Sequence, residues 1–195
     1  MIYLKQGDRG HLVREAQTLL GVTPDGIYGP KTQAAVSYYG YPAYELGLHL
    51  LLLNRSQDCH PDVWSQINRF YEKKTPYIWG GKLTSKGFNN PYNGLDCSGL
   101  ATAVYPQYNP VMCNAQCLHD KSTAPISGPP RCGDLVFYGR SLRRITHVCI
   151  VVDNQGGIVG MIGGGPSFTR PKPTGHIQYR QLSYRRDVIA VRRPV

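Results

Sequence analysis

Three runs of β-branched and aromatic residues constrain the fold of this chain more than any other feature. They cover residues 134–138, 146–153 and 158–162. Such runs are typical of buried strands, and the turn sequence at 154–157 joins the last two. We therefore predict an antiparallel meander. Alternation along its middle strand places His147, Cys149 and Val151 on one face and Val148 and Ile150 on the other.

Helices are predicted before the meander from the spacing of apolar residues. Residues 12–20 and 61–74 carry apolar side chains at helical spacing, and Gly29-Pro30 starts another helix that ends at Gly40. The first 40 residues can bury little surface alone, so we expect this unit to lean on the rest of the chain. The chain thus divides into residues 1–40, a connector at 41–60 that is predicted to be helical, and a larger α+β unit at 61–195.

Charge and hydropathy bound the partners of the chain. Lys and Arg number 22 against 12 Asp and Glu, a net charge of +10 that favours an anionic partner. No nucleic-acid-binding motif accompanies the basic residues, which we expect mainly in loops and the C-terminal region, so nucleic acid is not expected as a partner. The longest apolar run, residues 50–53, is far shorter than the roughly 20 residues that a membrane span needs.

The compartment in which the chain is synthesised determines whether its cysteines are expected to form disulfides. Residues 1–10 contain no apolar run of the kind found in secretory signals, which predicts synthesis in a cytoplasm, where structural disulfides are not expected. Two other interpretations remain open, a zinc set or a Cys113–Cys117 disulfide formed after release. The residues of the zinc set would be Cys113, Cys117, His119 and Cys132. Cys59 and Cys149 are interpreted as buried apolar residues, and we expect no metal or cofactor.

One cysteine and one histidine stand in positions that suit nucleophilic catalysis. Cys97 follows Asp96 and precedes apolar residues at helical spacing, which places it in the first turn of a helix. Backbone N–H groups there favour a thiolate and can donate to an oxyanion, so we expect the helix to lower the pKa of Cys97. His147, at the start of a predicted strand, is the candidate base.

The first 40 residues resemble the peptidoglycan-binding modules of wall hydrolases. The resemblance is carried by the run Asp25-Gly26-Ile27-Tyr28-Gly29, by Thr32, and by the apolar and glycine positions around them. It implies binding of glycan or stem peptide in a shallow groove.

Residues 61 to about 165 resemble the NlpC-like cysteine peptidases of bacterial cell walls. Four motifs carry the resemblance, at residues 76–81, 96–100, 132–137 and 147–151. It implies a papain-like α+β fold with a central antiparallel sheet, and cleavage between D-glutamate and the diamino acid of the stem peptide. The implied catalytic residues are Cys97, His147 and Tyr77, and the implied substrate-binding residues are Asp96, Ser98 and Trp79.

The third catalytic position departs from that family. A polar residue normally lies about a dozen residues after the base, whereas residues 158–163 offer no side chain able to orient an imidazole. A main-chain carbonyl near Gly160, a water, His176 or Gln178 could hold the Nδ1 proton instead.

Together these features predict a monomeric peptidoglycan endopeptidase with a wall-binding module, similar to a phage endolysin that acts on the wall after release. An injected toxin would look the same in sequence. The alternatives are an N-acetylmuramoyl-L-alanine amidase and a catalytically dead wall-binding protein. The positive charge would help the protein to reach an anionic envelope surface.

Overall fold

The structure is a computed structural model, and it describes residues 4–38, 61–107, 113–153, 156–164 and 172–195. The predicted connector at 41–60, with Cys59, and the predicted helix end at Gly40 lie outside the described residues. Helices and a six-stranded antiparallel sheet give these residues an α+β fold. None of the helices there has the length and apolar character that a membrane span requires.

Two short helices form the N-terminal unit. They are α1 over His11–Leu19 and α2 over Pro30–Tyr38. The buried apolar residues of the first helix are Leu12, Val13 and Ala16, as its spacing predicts. Between the helices, the Gln17 amide donates to Asp25 Oδ1 and accepts from the Gly26 N–H, both at 2.7 Å. One side chain therefore holds the predicted turn closed.

The N-terminal unit packs on the rest of the chain around a buried carboxylate. Asp8 is 0% exposed, and it accepts hydrogen bonds from the Tyr71 hydroxyl and, at 3.2 Å, from the Tyr179 N–H. Nearby, His11 Nδ1 lies 2.9 Å from Gln181 Oε1. Burial raises the pKa of Asp8 to about 6 because the charged form loses its water. These contacts confirm the expectation that this unit leans on the rest of the chain.

The middle of the chain supplies three helices and a small hairpin. The helices are α3 over Pro61–Tyr71, α4 over Cys97–Val104 and α5 over Ala115–Lys121, and the hairpin pairs β1, Leu83–Thr84, with β2, Gly87–Phe88. The predicted helix at 61–74 ends at Tyr71, and Lys74 has a positive φ of 48° that a helix cannot continue. The start of α4 at Cys97 agrees with the predicted position.

The sheet has the strand order β3-β8-β4-β5-β6-β7, and every neighbouring pair is antiparallel. Its strands are Thr123–Pro125, Leu135–Ser141, Arg144–Val151, Gly157–Ile162, His176–Gln181 and Val188–Pro194, numbered β3 to β8 in chain order. The predicted meander is β4, β5 and β6. Sequence reasoning missed the other three strands, of which β8 returns across the sheet to lie between β3 and β4.

The two faces of β5 pack against different groups, as its alternation predicts. Val148 and Ile150 belong to the main core, together with Leu100 of α4. Cys149 belongs to a second apolar cluster with Tyr138 on the other face. The strand therefore connects the helix that carries Cys97 to the face that carries His147.

Several basic residues of the C-terminal region, where many of them were expected, lie in strands. Arg193 in β8 pairs with the buried Asp134 at 2.8 Å, and Arg192 donates to Thr123 Oγ1 at 2.9 Å. Arg180 lies in β7 and donates to the Gly7 carbonyl of the N-terminal unit. These cations fasten strands and units together, because a guanidinium presents several donors in a fixed plane.

Candidate active site

The N-terminus of α4 is shaped by Asp96. Asp96 Oδ1 caps the helix by accepting from the Gly99 N–H at 2.6 Å, and its carbonyl accepts from the Leu100 N–H at 3.0 Å. Cys97 is the first helical residue. Its own N–H has no hydrogen-bond acceptor among the described residues. That N–H is therefore available to an oxygen that gains negative charge during a reaction.

Glycines allow the turn at 79–81 to pack tightly against this end of the helix. The Asp96 N–H donates to the Gly81 carbonyl at 3.0 Å. A Cβ on Gly99 would overlap that same carbonyl oxygen, and a Cβ on Gly81 would come within 2.5 Å of the Gly94 oxygen. The glycines of the two predicted motifs are thus needed because one backbone passes directly over the other.

Tyr77 lies beside the backbone that leads to Cys97. It forms a parallel bridge with Leu95, and its ring packs against Gly163, where a Cβ would overlap the ring. Its side chain is 5% exposed. Burial, followed by the charges of Cys97 and Asp96, raises the pKa of its hydroxyl. The hydroxyl therefore stays protonated at neutral pH and can act as a donor.

The Cys97 thiol lies against the strand that carries His147. The backbone N–H groups of Val148 and Ser98 face the sulfur and lower its pKa. Burial, and then the Asp96 carboxylate, have the larger effect and raise the pKa of Cys97 to about 11. The prediction that the helix N-terminus lowers this pKa overall is therefore wrong, because desolvation outweighs the N–H donors. At neutral pH Cys97 is a thiol and requires a base.

His147 faces the second apolar cluster. Its ring centroid lies 5.7 Å from that of Tyr138 and 6.4 Å from that of Tyr184. Burial, and then the charge of Arg185, lower the pKa of His147 to about 4, so the ring is neutral at pH 7 and able to accept a proton. Its Nε2 lies 3.3 Å from Cys149 Sγ. Within the described ranges no hydrogen bond joins the imidazole to Cys97.

Gly160 lies in the segment where the sequence analysis looked for a third catalytic residue, and the Cys149 thiol packs against it. A Cβ on Gly160 would overlap Cys149 Sγ, so the missing side chain on β6 makes room for the thiol on β5. Burial raises the pKa of Cys149, which keeps it as an uncharged thiol. The interpretation of Cys149 as a buried apolar residue is confirmed, and its sulfur in addition lies 3.3 Å from Nε2 of His147.

The two tail candidates for orienting the base lie elsewhere. Gln178 Nε2 lies 3.1 Å from His176 Nε2, and Gln178 Oε1 accepts from Arg180. In the described part of the chain neither side chain bonds to the His147 ring. Gly160 acts through the space it leaves rather than through a contact of its carbonyl that the structure shows.

A cleft of about 420 Å³ opens beside Asp96, the residue before Cys97. It is lined by Trp79, Gly80, Lys82, Thr84, Asn89, Asp96, Cys113 and Asn114. Trp79 is 52% exposed, whereas Ser98 is buried and donates to Asp96 Oδ1 at 2.9 Å. Two of the three predicted substrate-binding residues, Trp79 and Asp96, therefore line one cavity, and Ser98 lies behind the Asp96 carboxylate.

Sequence reasoning missed Lys82 at this cleft. Its side chain is buried and its Nζ lies 2.8 Å from Asp96 Oδ1, with a further hydrogen bond to Ser98 Oγ. Lysine is seldom buried without a paired charge. The burial of Lys82 could not be predicted, because its partner Asp96 is 14 residues away in sequence and no periodic pattern connects the two. The position of Lys82, directly after the glycines of the 79–81 turn, is the one signal that it lies near the site.

The cysteines outside the site behave differently from the expectation of a reduced chain. Cys113 and Cys117 form a disulfide, and Cys132 is also disulfide-bonded. The expectation that structural disulfides are absent is therefore wrong, and the alternative of a Cys113–Cys117 disulfide is confirmed. The zinc interpretation loses its thiolates by the same bonds, because disulfide sulfur is not a zinc ligand of the usual kind. His119 Nδ1 instead lies 2.7 Å from Asp120.

Comparison with known proteins gives a family. The chain matches the sequence model of the NlpC/P60 family over residues 74–186, and this match confirms the predicted papain-like fold class. No curated protein matches it.

Solved structures that are similar to this chain include the following three. The NlpC/p60 domain of the peptidoglycan hydrolase SagA is 20% identical, with 67% of this chain and 95% of that chain covered and a TM-score of 0.45. RipD of Mycobacterium tuberculosis, described as a non-catalytic NlpC/p60 domain protein adapted to peptidoglycan binding, is 17% identical, with 68% and 94% covered and a TM-score of 0.46. A lipoprotein-like NLP/P60 protein of Staphylococcus aureus is 20% identical, with 94% and 60% covered and a TM-score of 0.45.

Proposed function

Because the chain belongs to the NlpC/P60 family of peptidoglycan hydrolases, we propose that it cleaves a stem-peptide bond with Cys97 as nucleophile and His147 as base. One observation carries this proposal. Cys97 starts α4 with an unused N–H, and its thiol faces the N–H of Val148, the residue directly after His147. Nucleophile, oxyanion donor and base-bearing strand therefore meet at one point of the fold.

The proposed reaction starts from two neutral groups. As Cys97 Sγ attacks the carbonyl carbon, Nδ1 of His147 takes the thiol proton, and the N–H of Cys97 and the Tyr77 hydroxyl donate to the oxyanion. The imidazolium then gives that proton to the leaving amine, which leaves a thioester. Water, deprotonated by His147, hydrolyses the thioester to a carboxylate and restores the thiol. In this proposal a hydrogen bond from Nε2–H to Cys149 Sγ keeps the lone pair on Nδ1, the atom that takes the proton of Cys97.

We also propose a scissile bond and a biological role. The bond is that between D-glutamate and the diamino acid, with Asp96, Ser98 and Trp79 contributing to the substrate cleft. Residues 1–40 are proposed as a wall-binding module, supported by their two-helix structure and their tight packing on the catalytic unit. A monomeric endolysin that attacks the wall after release fits this combination and the net charge of +10, which favours the anionic envelope.

Digestion of purified peptidoglycan tests the proposal. The wild type should release fragments with a new free amine on the diamino acid, detected by mass spectrometry, and Cys97→Ser should release none while remaining folded by circular dichroism. A free amine on L-alanine would identify an amidase instead. If the folded wild type binds the wall in a sedimentation assay but cleaves nothing, the protein is a binding protein and the catalytic proposal fails.

A further inference from the structure

A buried ammonium group closes the floor of the cleft beside Cys97. Lys82 is 8% exposed, and its Nζ donates to Asp96 Oδ1 at 2.8 Å, to Ser98 Oγ, and to the Cys113 carbonyl at 3.4 Å. An ammonium has three N–H groups, and these three acceptors use all of them. Lys82 is therefore a fixed counter-ion within the protein, with no donor left for a ligand.

One oxygen of the carboxylate that faces the cleft is correspondingly occupied. Asp96 Oδ1 accepts from Lys82, from Ser98 Oγ at 2.9 Å and from the Gly99 N–H at 2.6 Å. A carboxylate and a hydroxyl beside a nucleophile would otherwise suit the ammonium of a substrate. Here the chain supplies that ammonium itself, because Lys82 pairs with the charge of Asp96, and a second cation would enter next to a like charge that opposes its binding.

The remaining side chains of the cleft are neutral. Thr84, Asn89 and Asn114 offer hydroxyl and amide groups, and the half-exposed Trp79 offers an aromatic face. Amides and hydroxyls can form hydrogen bonds with uncharged amides and sugar hydroxyls, and no unpaired charge is then buried. The lining of the cleft therefore suits a neutral, acylated group better than a free amine.

We propose that Lys82 determines specificity by selecting stem peptides whose N-terminal amine is acylated, as in peptidoglycan still joined to its glycan. Free stem peptides that begin with a charged amine are the disfavoured class. This inference rests on the proposed peptidase function and adds the substrate class to it.

Two peptides that differ only at the N-terminus test the inference. Both carry the stem sequence through the diamino acid, one with a free amine and one N-acetylated. The wild type should cleave the acetylated peptide with a kcat/KM at least tenfold higher. Lys82→Met, which keeps the chain length and removes the charge, should lose most of that preference by cleaving the free-amine peptide faster. Lys86→Met, an exposed lysine of the same segment, is the matched control and should keep the wild-type ratio.

A second measurement needs no variant and covers the case in which Lys82→Met fails to fold. An α-amine has a pKa of roughly 8, so at pH 9.5 the free-amine peptide is neutral and the wild-type preference should shrink several-fold relative to pH 7. A wild type that prefers the free-amine peptide, or a preference unchanged at pH 9.5, overturns the inference and leaves the peptidase function intact. A protein that cleaves neither peptide nor purified peptidoglycan contradicts the proposed function, and the inference falls with it.

Discussion

Replacing Cys149 by alanine should slow the chemical step without weakening substrate binding. The sulfur of Cys149 lies 3.3 Å from His147 Nε2 and is enclosed by β6, where Gly160 leaves the space for it. When Nε2–H donates to this sulfur, the lone pair remains on Nδ1, the atom that we propose accepts the Cys97 proton. In Cys149→Ala the ring loses this partner and gains room to rotate.

The size of the effect depends on the strength of one hydrogen bond. A single hydrogen bond contributes about 1 kcal/mol, so kcat should fall about fivefold. KM should stay within about twofold, because Cys149 is 1% exposed and touches no part of the cleft. Cys149→Ser, whose hydroxyl can keep a hydrogen bond to Nε2, should retain most of the activity.

The assay is steady-state kinetics on a synthetic stem peptide, with thermal unfolding measured for every variant. A double-mutant cycle sharpens it, since Gly160→Ala alone should clash with the Cys149 sulfur, and combination with Cys149→Ala should restore stability. The reasoning is refuted if the alanine and serine variants both match the wild type, or if both lose activity only in proportion to their folded fraction.

Three other predictions concern the base, the N-terminal unit and the motif glycines. Because burial lowers the pKa of His147 to about 4, kcat/KM should stay constant down to well below pH 6. Arg185→Met removes a charge that lowers this pKa, so it should raise the pH at which kcat/KM falls in acid. A fall of the wild-type kcat/KM with a midpoint near pH 6.5 would contradict this. Asp8 has a folded pKa of about 6 against 3.8 unfolded, so the native state binds the proton more tightly than the unfolded state. Its contribution should therefore make the free energy of unfolding fall by about 2 kcal/mol as the pH rises from 4 to 6. Urea titrations of Asp8→Asn should lack that component, and identical pH profiles for variant and wild type would count against it. Gly99→Ala should cost about 3 kcal/mol in urea denaturation because its Cβ would overlap the Gly81 carbonyl oxygen. Gly29→Ala, whose Cβ would make only an ordinary contact with the Ile27 oxygen at 3.9 Å, should cost much less, and equal costs would refute the packing argument.

The parts of the fold with local sequence signals were predictable. The helix at Cys97, the first N-terminal helix and the meander β4 to β6 follow from apolar spacing and turn residues close in sequence. The strands β3, β7 and β8 were missed because their pairing is with distant segments. In β8 the arginines Arg192 and Arg193 mask the strand pattern, since their partners Thr123 and Asp134 lie far away in sequence.

The candidate site shows the same limit. Cys97 and His147 could be named from the sequence because each stands in a recognisable local context. The pKa of the Cys97 thiol could not be predicted, because it depends on how burial and the backbone N–H groups compete in the folded protein. Helix position argued for a lowered pKa of Cys97, whereas the enclosing protein raises it to about 11. Lys82 and Cys149 were missed as parts of the site because their roles depend on Asp96 and Gly160, which only the folded chain brings to them.

The pH dependence of alkylation at Cys97, followed together with activity, tests the central claim most directly. Cys97 and Cys149 are the free thiols among the described residues, and Cys97 is the more exposed of the two. With iodoacetamide, Cys97 should be modified first, its rate should rise about tenfold per pH unit up to about pH 11, and hydrolysis of peptidoglycan should be lost in step with its modification. Full modification of Cys97 with hydrolysis unchanged, or loss of hydrolysis before Cys97 is modified, would contradict its role as the nucleophile.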